Sequence, residues 1–249
     1  MTEENPFEAP RPITFPPLLK GQAVSGATDP FDKACALATL GCESGVLVYN
    51  IDAGRLRAAI VFAPEVPLEQ AMAVFCACGV GFQNALGALA PPEVAVHLTW
   101  QGDILVNAGA AGRLRVAANT DTAAEIPDWL VVGLSLDLIP PSDDAPGDHP
   151  DRTALYLEGC GDVVPDRLLE SWARHTLVWI NRLTEDGNQP LHNEWRGLVH
   201  GMGEDVVINH NGQTLSGTFL GVDEDFGMLI RDGETTHLVP LSSRLEGSP

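Results

Sequence analysis

The chain has 249 residues and 45% hydrophobic content, enough for one large domain, or one domain with a small appendage, to bury a core without disulfide staples. Thirty-four acidic residues face 14 basic ones, for a formal charge of −20. A surface this acidic repels phosphate backbones and anionic lipid, which excludes nucleic acid and membrane as partners.

Residues 1–30 are rich in proline and glycine and read as an extended arm. They lack a basic start and an apolar core, so they do not read as a signal peptide. "DPFDKACALATLG" reads as a helix, with Asp29 as its cap, Pro30 in its first turn and Gly41 at its end. "GVLVYNI" and "LRAAIVFAP" are strand-like and joined by the turn "DAGR". "PLEQAMAVFCACGVGFQNALGAL" reads as one long helix, apolar on most sides and therefore buried. "EVAVHLTW", "DILVN", "GRLRVAAN" and "DWLVVGLSLDLI" supply four more strands, the last apolar enough to be central.

A proline-rich acidic loop, "PPSDDAPGDHPD", spans 140–151. "VPDRLLESWARHTLVWINRLTEDG" then reads as a helix closed by Gly187. Helical spacing places Leu168, Trp172, His175, Trp179 and Leu183 on one face, with His175 as a core histidine. The stretch around Leu191 and Trp195 reads as a linker made for docking, not a free tether. Beyond it, short strands alternate with turns, and "NHNGQT" and "RDGE" carry hairpin signals. The expected division is 1–189 for the larger domain and 190–249 for a small β-barrel.

The five cysteines (Cys35, Cys42, Cys76, Cys78 and Cys160) are odd in number and show no zinc spacing. Cys76 and Cys78, in an apolar run, read as buried free thiols, and the chain as a reduced, cytoplasmic protein. The sequence holds no GxGxxG, P-loop, HExxH or GxSxG motif. On these grounds alone it describes an α/β domain followed by a small barrel.

"TWQGDILVNAGAAGRL" resembles the signature of the biotin–protein ligases, K-W-P-N-D-I-L-V followed by K-x-x-G-I-L. Trp100, Asp103, Ile104, Leu105, Val106 and Gly112 match. "WLVVGLSLDL" is similar to the family's v-v-G-x-G-x-N strand, at Gly133. "LSGTFLGVDEDFGMLIRDGETTHLVP" resembles its C-terminal barrel through Gly217, Gly221, Asp223, Gly227 and Leu229. The motifs fall in the family's order over roughly residues 25–245, and extend the resemblance to the lipoate ligase superfamily. The resemblance implies a ligase-like mixed sheet with packed helices, an SH3-like C-terminal barrel, and ligation chemistry using ATP, magnesium and biotin or lipoate. The implied partners are a small carboxylic acid or a biotinyl- or lipoyl-carrier domain.

The departures bear on chemistry. The family's glycine- and arginine-rich loop, which wraps the adenylated acid, has no room between the first two strands, and "GRLR" at 54–57 reads as a turn. The lysine opening the signature is Thr99, and its Pro-Asn pair is Gln101-Gly102. The later lysine is missing from the run Ala108, Gly109, Ala110, Ala111, and the asparagine of the glycine strand is Asp137. Adenylation develops negative charge that fixed cations must meet; losing one such group costs about 10²–10³ in rate. Arg113 and Arg115 are candidate substitutes and share a strand face, unless they are surface residues paired with nearby acids.

The expected ligand site therefore comprises Thr99, Trp100, Gln101, Gly102, Asp103, Gly112, Arg113 and Arg115, with no metal and with the catalytic residues left open. In this reading Gly112 closes a hairpin and lets a ligand approach the backbone. Three functions stay open. One is a ligase relative that binds a small acid, nucleotide or acyl-carrier partner without adenylating it. The second is a working ligase or acyltransferase with a remodelled site. The third is a protein-interaction module whose pocket is filled.

Overall fold

The computed structural model describes residues 11–140, 151–210 and 212–246. Most of the acidic loop at 140–151 and the first ten residues of the arm lie outside them. A seven-stranded mixed sheet is built from β1 (Lys20–Ala23), β2 (Val46–Ile51), β3 (Arg55–Phe62), β4 (Val96–Leu98), β5 (Asp103–Val106), β6 (Gly109–Ala118) and β7 (Leu130–Asp137). Its spatial order is β1-β2-β3-β7-β6-β5-β4, with only β1 and β2 parallel. The arm is thus tied down. Residues 20–23 form an edge strand, and Thr14 and Arg11 bind the buried carboxylate of Glu170.

One face of the sheet is covered by α1 (Pro30–Thr39). Asp29 caps this helix by accepting from the Phe31 N–H, and Pro30 occupies the first turn, as the sequence indicates. Phe31, Ala34, Cys35 and Ala38 pack on Val48, Ala59, Val61, Ala117 and Val131. The other face carries α2 (Leu68–Ala71), α3 (Ala73–Gly87), α4 (Pro165–Asp186) and α5 (Asn188–Leu198). The single helix expected over 67–89 is broken at Met72, whose backbone closes α2 and opens α3. α3 is buried all round because it is walled by the sheet, α4 and α5. A Cβ on Gly81 would come within 2.8 Å of the Thr176 hydroxyl, so the glycine permits close approach of α3 and α4.

On α4 the buried stripe includes Leu168, Trp172, Thr176 and Trp179; His175 is half-buried and its Nδ1 lies 3.0 Å from the Ser171 carbonyl. The expected linker is the helix α5, with Leu191 and Trp195 in the core. A second, antiparallel sheet follows: β8 (Asp205–His210), β9 (Gln213–Val222), β10 (Met228–Asp232) and β11 (Thr235–Val239), in the order β11-β10-β9-β8. The fold class is that expected, a mixed ligase-like sheet with packed helices and a small all-β C-terminal unit. Among the described residues no helix is long and apolar enough to cross a membrane.

Candidate functional site

β4 ends at Leu98, and the turn Thr99–Gly102 leads into β5. Gly102 has φ +101°, and a Cβ there would lie 2.8 Å from the Leu114 carbonyl oxygen and 2.9 Å from the Phe75 ring. Its own carbonyl accepts from the Leu114 N–H at 2.7 Å, which fixes the turn against β6. The Thr99 hydroxyl donates to the Asp103 carboxylate at 3.0 Å, and accepts from the Asp103 N–H at 2.9 Å. The hairpin from β5 to β6 turns at Asn107 and Ala108, both with positive φ, and not at Gly112. Gly112 sits opposite Ile104 beside a register shift, where a Cβ would meet the Ser135 carbonyl oxygen at 2.3 Å. Its missing side chain makes room for β7, not for a ligand.

The expected site residues divide between the two faces of the sheet. Trp100 is 1% exposed, packs in the cluster that includes α3, and donates its indole N–H to the Phe226 carbonyl at 2.8 Å. It joins the first domain to the second sheet. Asp103, Arg113 and Arg115 lie on the α1 face. Arg113 pairs with Asp103 on one side and with Ser135 on the other, and Ser135 pairs with Arg57. This cross-strand row, Arg57–Ser135–Arg113–Asp103, spans four strands. Neighbouring strands are 4.7–4.9 Å apart, so Arg57 and Arg113 flank Ser135 at about 10 Å. Arg113 is exposed and makes no salt bridge among the described residues. Arg57 has a salt bridge to Asp52 at 3.3 Å and a buried Nε without a partner.

The next row along, Ala59–Gly133–Arg115, lies under α1. A Cβ on Gly133 would meet the Phe31 ring at 2.5 Å, so that ring fills the hollow. Arg115 lies over Phe31, with its guanidinium carbon 4.1 Å from the ring centroid. Two of its nitrogens reach Glu246 at 2.7 and 2.8 Å, and it stands 3.5 Å from Asp29 and 3.6 Å from Asp32. Burial alone would lower the Arg115 pKa; Glu246, Asp29 and Asp32 outweigh it and hold the guanidinium above its ordinary value. The remaining cavity, bounded by Asp29, Phe31, Arg57, Arg115, Gly133 and Ser135, measures about 20 Å³.

Two site arginines were not singled out by the sequence. Arg57 lies in "GRLR", which is not wholly a turn: Asp52 and Gly54 make the turn, while Arg55 and Arg57 enter β3. Arg244 comes from a short 3-10 turn after β11, and its guanidinium carbon lies 6.0 Å from the Trp100 ring centroid. Burial pushes its pKa down, and the nearby Arg113 pushes it further. Cross-strand alternation could have placed Arg57, but not Arg244. Asp137, at the position of the family's asparagine, pairs with Arg55 at 2.8 Å and Arg152 at 3.7 Å.

A model of the biotin/lipoate A/B protein ligase family matches residues 15–197, and a domain of unknown function (DUF4444) matches 202–247. A biotin protein ligase-like protein of unknown function from Silicibacter sp. TM1040 is 60% identical; its crystal structure aligns with a TM-score of 0.87 over 94% of this chain and 100% of that one. The biotin protein ligase of Aquifex aeolicus aligns at 18% identity and a TM-score of 0.69, over 91% and 94%. The biotin–[acetyl-CoA-carboxylase] ligase of Paracoccus denitrificans is 22% identical over 196 residues, 77% of this chain and 80% of that one. The ligase motifs, the strand order that carries them and the match over residues 15–197 agree: the chain belongs to the biotin/lipoate A/B protein ligase family.

Proposed function

We propose that this chain is a ligase-fold binding protein that holds a small carboxylic acid, or the phosphate of a nucleotide, without adenylating it. The observation that carries this reading is the row Arg57–Ser135–Arg113, with Arg244 beside it. In a chain of net charge −20, Arg113 and Arg244 stand near one another with no salt bridge among the described residues, with Asp103 and Glu246 close by. A guanidinium presents a fork of donors that matches a carboxylate or phosphate edge, and the Ser135 hydroxyl can donate between two such forks.

The same geometry argues against adenylation. Thr99 replaces the signature lysine and its hydroxyl is committed to Asp103. Arg115, the other candidate cation, is committed to three carboxylates. Charge developing on a pentavalent phosphorus would meet neither group, a loss of about 10²–10³ in rate for each. Nor does the donor set suit magnesium: Asp103 is the single carboxylate of the row, between a hydroxyl and two arginines. A biotinyl- or lipoyl-carrier domain extends this reading as the protein partner, by analogy with the Paracoccus ligase named for acetyl-CoA carboxylase.

The experiment has two arms. Thermal unfolding is followed with biotin, lipoate, octanoate and adenine nucleotides, in the wild type and in Asp103→Asn/Arg113→Ala. A ligand at one hundred times its Kd stabilises by about 2.7 kcal/mol, and the double variant should lose that gain. Mass spectrometry of a carrier domain incubated with ATP, magnesium and each acid should show no added acyl group. Acyl transfer would instead establish a working ligase. If nothing in the panel stabilises the wild type, the reading falls to a protein-interaction module. The Phe31 ring in the hollow over Gly133 favours that second reading.

A further inference from the structure

A larger concavity lies at the other end of the sheet. It measures about 850 Å³, within the range of small-molecule sites. Phe62 ends β3 there, five residues beyond Arg57 and so about 17 Å away along the strand. Its walls come from three places: the β3 end and the following Pro64–Val66 loop, the α2–α3 junction, and the last turns of α4 with the loop between β9 and β10. The apolar lining is Phe62, Val66, Val74, Ile180 and Leu183. The charged lining is Glu65, Glu224 and Asp225, and none of the described lining residues is a lysine or arginine.

We propose that this cleft is a second ligand site, for a small organic cation with an apolar body. The apolar walls supply burial, at about 25 cal/mol per Å² of apolar surface removed from water. The three carboxylates form no salt bridge among the described residues, so their charge is free to meet an ammonium group. The Asp225 carboxyl is half-buried, and that partial burial, followed by the nearby charges of Glu69, Asp223 and Glu224, pushes its pKa up; a bound cation relieves that crowding. The acidic loop is held in place from α5: Asn188 donates to the Glu224 carbonyl at 3.2 Å, and the His192 Nε2 lies 2.9 Å from the Asp223 carbonyl. The cleft is therefore a shaped wall, not a loose end.

Calorimetric titration of the full chain with 4-phenylbutylammonium tests this, with 4-phenylbutanoate as the anion of matching shape. One equivalent of the ammonium ion should bind, and the carboxylate should not. Glu65→Gln/Glu224→Gln/Asp225→Asn should weaken binding at least tenfold, with circular dichroism verifying the fold. A control at a distant acidic turn, Asp232→Asn/Glu234→Gln, should leave it unchanged. The proposal is overturned if neither probe binds, if both bind alike, or if the distant control weakens binding as much as the triple variant. These outcomes do not depend on the arginine row, which takes anions at the opposite end of β3.

Discussion

Replacing Trp100 with alanine removes a side chain that is 1% exposed and lies in the core cluster common to both sheets. Truncating a buried tryptophan costs roughly 3–5 kcal/mol through lost burial and the cavity left behind. The Phe226 carbonyl also loses its 2.8 Å donor, and a buried acceptor left unpaired costs roughly 1–3 kcal/mol. Part of the second cost is contained in the first, so about 4–6 kcal/mol is expected in total. Trp100→Phe keeps most of the ring and loses the donor, for about 2–4 kcal/mol. Whole domains have only 5–15 kcal/mol of stability, so the alanine variant should sit near its limit. Urea unfolding by fluorescence of the remaining tryptophans measures both variants. Limited proteolysis between 199 and 204 reports whether the second sheet has come loose. An alanine variant within roughly 1 kcal/mol of wild type would refute the reasoning, because it would mean that the two sheets are not coupled through Trp100.

Three further outcomes are expected. Gly133→Ala drives a methyl into the Phe31 ring and should destabilise by roughly 1–3 kcal/mol, while Gly133→Ala/Phe31→Ala should recover part of that loss; equal or greater loss in the pair would contradict the filled hollow. Burial pushes the Glu170 carboxyl up, but the Thr14 N–H and hydroxyl and the Arg11 guanidinium outweigh it and hold its pKa below the ordinary value. Its contribution is therefore complete above about pH 4.3 and fades as pH falls through the folded pKa, so the stability gap between wild type and Glu170→Gln should narrow on acidification below about pH 4. Burial, aided by Asp32, raises the Cys35 thiol to about 12, and Cys76, Cys78 and Cys160 are also buried; native alkylation at pH 8 should label Cys42 first, and mass spectrometry of the peptides checks the order.

The sequence made local structure legible wherever a residue acts on its own backbone. Asp29 and Pro30 start α1, Gly187 ends α4, and the Asp-Gly pair at 232–233 turns β10 into β11. It was silent where packing decides. The run 68–87 is apolar on most sides, so periodicity carries no mark of the break at Met72. The docking of Leu191 and Trp195 was legible, since both are buried as expected, but the helix that carries them across the expected linker was not. The candidate site was half legible. Alternation put Arg113 and Arg115 on one face, but Trp100 stands in a turn, where alternation does not apply, and points to the other face. Arg57 joins Arg113 only because β7 inserts between β3 and β6, a strand order that no local pattern encodes.

The most direct test of the anion-binding account is equilibrium titration of wild type and Arg113→Ala with the same acids and nucleotides, at 50 and 200 mM salt, with pyrophosphate release followed in parallel. The account predicts a ligand that binds wild type, weakens as salt rises, weakens at least tenfold in the variant, and is not turned over. Pyrophosphate released by the wild type, or binding that Arg113→Ala leaves unchanged, would contradict it.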